Sequence, residues 1–179
     1  MAQFRAEKAG INAEVQQKLE QMYDVELELE CRMWMEAITG EPFPECSPEE
    51  LDEIERDFPG KEFYLALHNG IYLCKLIKAL HPPALPGLRL VKPRNPFQER
   101  DLIDHFLKAC LEYGVSKDCL FETEDLHSAT NMNMVVSGII ALGSTVSQHV
   151  HVILCYASLH HQHIKTRLRE RGVSISTCK

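Results

Sequence analysis

Apolar residues recur every three or four positions at Val15, Leu19, Met22/Tyr23, Leu27, Cys31, Trp34 and Ile38. That rhythm predicts one long amphipathic helix, capped by Asn12 and ended by Gly40 and Pro42. A loop-rich stretch with prolines at 42, 44, 48 and 59 follows. Within it, Ser47-Pro48-Glu49-Glu50 reads as a capping box with proline at the first helical position. A short acidic helix reaching about Asp57 is expected there, its charges forming a solvated face. Residues 63–80 are apolar on more than one side. Phe63, Leu67, Ile71 and Cys74 mark one stripe, and Leu73, Leu76 and Leu80 a second. A helix apolar most of the way round is buried and central. His81-Pro82-Pro83 stops it.

After a proline-rich connector to Pro96, Leu102/Ile103, Phe106/Leu107 and Cys110/Leu111 predict a third helix. Gly114 fits a left-handed C′ residue, with Val115 as the hydrophobic contact after it. Residues 121–128 read as a connector turn. Asn131 caps a last helix through Val135, Ile139, Leu142 and Val146. No convincing period-two strand interrupts the series. The pattern predicts an all-α domain of four main helices with short connecting helices.

Composition adds bounds. The chain has 179 residues, 45% apolar and 25% charged, with a formal charge of −7. That length suits one domain, and its acidity opposes nucleic-acid binding. The longest apolar stretches, such as residues 150–159, fall short of the roughly 20 residues of a membrane span. No secretory signal is visible at the N-terminus. The cysteines number seven, with no CxxC pair, which points to a reducing cytoplasm without a disulfide framework.

Charge divides the chain. Residues 1–146 hold 14 Lys/Arg against 25 Asp/Glu, and residues 147–179 hold five against one, with five of the nine histidines. The cluster Lys165, Arg167, Arg169 and Arg171 reads as the only concentrated positive charge and the candidate partner-binding segment. A solvated end is the plain alternative. His149, His151, Cys155, His160 and His163 could be offered as zinc ligands, but the tight Cys/His pairs of a structural zinc site are missing. Cys74 and Cys110 fall in core patterns without an activating histidine motif. No Gly-rich phosphate loop or EF-hand is present. The expectation is a binding protein, not an enzyme, with no metal and no cofactor.

Several blocks carry a family resemblance. Leu67-His68-Asn69-Gly70-Ile71-Tyr72-Leu73-Cys74-Lys75-Leu76, followed by Leu80-His81-Pro82, resembles the central helix signature of calponin homology domains. Phe106-Leu107-Lys108-Ala109 with Tyr113-Gly114-Val115 resembles the next helix. Phe121, Asp125-Leu126, Asn131-Met132 and Ala141-Leu142-Gly143 resemble the closing segment. Glu14-Val15-Gln16, Tyr23-Asp24 and Trp34 are similar to the transgelin and calponin branch.

The resemblance implies a single calponin homology domain over 11–146, a flexible N-terminus over 1–10, and a divergent basic, His-rich tail over 147–179. It also implies a cytoplasmic, cytoskeletal protein that binds filamentous actin, with a muscle role among the expectations. The alternative is a signalling or scaffold adaptor that binds kinases. The residues read first as structure. Trp34, Leu67, Leu73, Leu76, Phe106, Leu107, Leu126 and Leu142 are expected core side chains, Gly114 a cap, and Gly70 an in-helix glycine explained by a close helix–helix approach. Two features depart from the family: the acidic stretch 46–57 lengthens the first loop, and no calponin-type repeat follows Val146.

Overall fold

In the computed structural model, which describes residues 14–149, two helices rather than one carry the first apolar stripe. α1 covers residues 14–21 and α2 covers Val25–Thr39. The break falls at residues 22–24 because the Asp24 carboxylate caps α2, accepting from the backbone N–H of Glu26 (2.9 Å) and Leu27 (3.1 Å). Asp stabilises a helix from outside its first turn and is a poor interior residue. The short turn keeps the three-to-four spacing nearly in phase, so the apolar stripe runs across it. The expected cap Asn12 lies outside the described residues. Gly40 ends α2 with φ +68°, its N–H donating to Glu36 O at 2.9 Å.

α3 (Pro48–Asp52) starts with the reciprocal box: Ser47 N donates to Glu50 Oε2 at 2.9 Å, and Glu50 N to Ser47 Oγ at 3.2 Å. The helix stops at Asp52, short of the expected Asp57.

The doubly striped segment is also split, into α4 (Lys61–Leu67) and α5 (Ile71–Leu80). Gly70 stands at the junction with φ +74°, not inside a helix. The close approach inferred from it is present: a Cβ at Gly70 would stand 2.7 Å from Leu102 Cβ and 3.0 Å from Ile103 N. α6 (Pro96–Tyr113) supplies those two residues. α5 buries Tyr72, Leu73, Cys74, Leu76 and Ile77 and packs against α2, α4 and α6, so the central position expected of it is kept in a shorter helix.

Asn95 caps α6, its Oδ1 accepting from Gln98 N at 3.0 Å. Gly114 closes α6 with φ +109°, and the Val115 N–H returns to Cys110 O at 3.0 Å while its side chain is buried. The expected connector at 121–128 contains a helix, α7 (Thr123–His127), begun by a box in which Glu122 N donates to Asp125 Oδ2 at 2.8 Å. Asp125 therefore closes a box whose cap is Glu122, a residue less usual at that position. α8 (Met132–His149) follows, with Asn131 Oδ1 accepting from Met134 N at 3.3 Å. Short 3-10 turns lie at Pro82–Ala84 and Lys117–Cys119. Among the described residues there is no strand.

One core gathers the inner faces of α2, α4, α5, α6, α7 and α8. Leu67, Leu73, Leu76, Phe106, Leu126 and Leu142 lie fully inside it. Trp34 and Leu107 sit at its margin, half-buried. The Trp34 indole lies along Gly143, where a Cβ would come within 3.4 Å of the ring. Gly114 is exposed, so its part is the backbone turn and not packing. No described helix is long and apolar enough to cross a membrane.

Candidate protein-interaction surface

Among the described residues the helices bring no metal-binding cluster together: no group of three or more His, Cys, Asp or Glu is placed to hold a metal ion. His149 ends α8, and its side chain, with His151, Cys155, His160 and His163, lies outside the described part. Within it, His127 Nε2 lies 3.0 Å from Glu99 Oε2, tying α7 to α6, and the Tyr64 hydroxyl donates to the His127 carbonyl at 3.2 Å. No thiol or hydroxyl is bonded to that imidazole.

The core thiols are held neutral. Cys31 Sγ donates to Val136 O at 3.7 Å and Cys74 Sγ to Leu102 O at 3.3 Å. Burial pushes both up to about 12 and moves Cys110 in the same direction. The thiolate is the nucleophile, so these cysteines are packing residues. Peptide-mapped alkylation of native protein at pH 8 is expected to label exposed Cys119 at least ~100-fold faster than Cys31, Cys74 or Cys110. Denaturant should abolish the difference. Comparable native rates would contradict the burial.

The surface is organised by charge instead. Residues 41–57 carry eight carboxylates and one cation, Arg56. That cation is already engaged: Arg56 Nη2 donates to Ala129 O at 2.9 Å, and its guanidinium lies 4.6 Å from the centre of the Phe58 ring. Three further cations meet carboxylates, in Lys75–Glu41 (2.5 Å), Arg100–Glu124 (2.7 Å) and Lys108–Asp104 (2.5 Å). The Arg100 pair, together with a hydrogen bond from Ser128, holds the Glu124 carboxyl down to about 2.

The connector before α6 is different. Residues 81–98 contain no carboxylate. Arg89, Lys92 and Arg94 are exposed, and none has a carboxylate partner among the described residues. Two large apolar side chains, Val91 (64% exposed) and Phe97 (78% exposed), stand beside them.

The connector's path is fixed from beneath. Leu85 is buried, and Leu88 and Leu90 pack on the core. Lys78 Nζ donates to Leu88 O at 3.4 Å, and Arg94 N to Gln98 Oε1 at 2.8 Å. Prolines 86, 93 and 96 restrict φ along it. Leu88 and Leu90 are partly buried while Arg89 and Val91 are exposed, and the Val91 N–H turns back to Arg89 O at 3.0 Å.

Lys165, Arg167, Arg169 and Arg171 lie outside the described residues. They are not the only concentrated positive charge, because residues 86–97 form a second cluster. Its signal was present in the sequence as a carboxylate-free run in an acidic chain. The prolines read there as punctuation rather than as a support for side chains.

A helical body with inert core thiols and a solvent-facing cationic edge belongs to the class of binding modules. The calponin homology (CH) domain family matches residues 25–148, and the chain belongs to that family. CH domains are typically binding, non-enzymatic domains, commonly found in actin-binding, cytoskeletal and signalling proteins.

Proposed function

We propose that this chain is an actin-associated cytoskeletal binding protein of the transgelin and calponin type, organising or regulating actin filaments in the cytoplasm, including those of muscle. The observation that carries the reading is the CH match over residues 25–148. The opening block Glu14-Val15-Gln16, Tyr23-Asp24 and Trp34 supports the finer branch. The mechanism is attachment without chemistry: the helical body presents a surface, and Lys165, Arg167, Arg169 and Arg171 add long-range attraction to an acidic filament.

Co-sedimentation with filamentous actin tests this. The full chain is expected to pellet with filaments at about 50 mM salt and several-fold less at about 200 mM, as screening shortens the reach of charge. A chain ending at residue 149 keeps α8 whole and is expected to bind more weakly. Absence of the full chain from the pellet at low salt would overturn the reading. Recovery of kinases without actin would favour a signalling adaptor.

A further inference from the structure

We propose that the edge formed by residues 88–97 docks onto an acidic protein surface. Arg89, Lys92 and Arg94 meet its carboxylates, while Val91 and Phe97 enter an apolar hollow between them. The inference rests on the filament-binding reading above and assigns that contact to the CH body, with the tail adding to it.

Three observations converge on this edge. Among the described residues none of the three cations has a carboxylate partner, in a chain of net charge −7, whereas Lys75, Arg100 and Lys108 elsewhere have carboxylates at 2.5–2.7 Å. Phe97 is the most exposed of the large apolar side chains described, at 78%, and Val91 at 64% lies on the same short segment. Arginine and aromatic side chains are the groups that dominate protein interfaces. The segment is also held before any partner arrives, because Leu88 and Leu90 anchor it and Pro93 and Pro96 restrict it. Little backbone freedom is then lost on binding.

Two other occupants fit less well. On an anionic membrane, three cations raise partition about a hundredfold. That is well short of a single lipid chain, whose anchoring is itself marginal. A flat anionic surface would also face the carboxylates of the body within a Debye length of about 10 Å. A second copy offers the acidic segment 41–57, but it brings another −7 with it. A partner that presents its carboxylates only at the contact avoids both costs.

The test uses the full chain and filamentous actin at about 50 mM salt. Arg89→Glu/Lys92→Glu/Arg94→Glu is compared with Lys18→Glu/Lys108→Glu/Lys117→Glu, which makes the same change in net charge at other exposed positions. The edge variant is expected to lose at least ~10-fold in affinity and the control no more than ~3-fold. Phe97→Ala is expected to lose about 3- to 10-fold. Helical circular dichroism should be unchanged in all three and Tm should fall by no more than a few degrees, which separates lost contact from lost fold.

Wild-type binding with equal losses in the edge and control variants would overturn the inference and leave the filament reading standing. No wild-type binding would overturn both. The membrane becomes the occupant if wild type binds phosphatidylserine vesicles through the edge while the edge variant keeps filament affinity. Low-salt self-association that only the edge variant abolishes, with filament affinity kept, would replace the proposal with a second copy.

Discussion

Gly70→Ala is expected to cost roughly 2–5 kcal/mol, while Gly87→Ala, at nearly the same φ, costs only about 1–2 kcal/mol. Both glycines are left-handed, with φ +74° and φ +75°. A Cβ in that conformation is disfavoured by about 1–2 kcal/mol wherever it occurs. The two sites differ in what the Cβ meets. At Gly87 nothing lies within 4 Å. At Gly70 the new carbon would stand 2.7 Å from Leu102 Cβ and 3.0 Å from Ile103 N. Neither atom is the end of a flexible side chain, so α5 and α6 must separate. Overpacking of that kind adds about 1–3 kcal/mol.

A domain of this size has about 5–15 kcal/mol in all, so Gly70→Ala should leave a visibly destabilised protein. Urea denaturation of both variants measures the difference directly. Equal losses would mean that the α5–α6 approach is looser than the distances show.

Gly70 also shows how far the sequence reaches. Its position between apolar stripes marked a close approach, because glycine in an apolar helical pattern needs a packing reason. The same periodicity hides the helix break at that residue, since α4 and α5 keep their apolar faces towards one core. Residues 22–24 repeat the lesson: the stripe through Val15 and Ile38 is continuous while the helix is not. In both cases the local signal was a residue that favours leaving the helix, Asp24 or Gly70, and hydrophobic rhythm outweighed it. α7 is hidden in the sequence because its cap is Glu122, a residue unusual at that position.

The cationic edge at residues 88–97 is harder to read from sequence. Composition exposes the basic residues at 89, 92 and 94. Only the fold shows that Leu88 and Leu90 are turned inward, that Phe97 is left outside, and that no carboxylate among the described residues pairs with the cations.

Glu28→Ala is expected to cost about 3 kcal/mol, the largest loss from any single charge removal in the body. Glu28 is the one charged residue buried among those described, at 6% exposure. Its Oε2 accepts from the Tyr23 hydroxyl at 2.8 Å, and its Oε1 pairs with Arg32 at 2.5 Å. The Arg32 guanidinium lies 5.0 Å from the Phe43 ring centre and 5.6 Å from that of Phe63. Its other carboxylate, Glu62, is farther at 3.6 Å and half exposed. The network therefore joins the α1–α2 turn, α2, the segment after it and α4. Truncating Glu28 leaves the Tyr23 hydroxyl without its acceptor and Arg32 with a distant, screened partner.

Glu28→Gln keeps an acceptor for Tyr23 and should cost about 1–2 kcal/mol. Glu28→Leu/Arg32→Met should cost less than the sum of its single changes, since the double variant strands no charge. Additive costs in urea denaturation would show that the groups act independently.

Tyr23 supplies a pH test of the same network. Burial, and then the neighbouring Glu28 charge, pushes its phenol far above its ordinary value of 10.0. The unfolded chain releases that proton near pH 10 and the folded chain retains it, so this stabilisation is complete below pH 10 and declines above it. Tyr64 and Tyr72, also raised by burial, add to the decline. Tyr23→Phe should make alkaline loss of stability shallower between about pH 10 and 11.5, in addition to a loss of about 1–2 kcal/mol at neutral pH. An unchanged alkaline slope would show that the phenol is open to solvent.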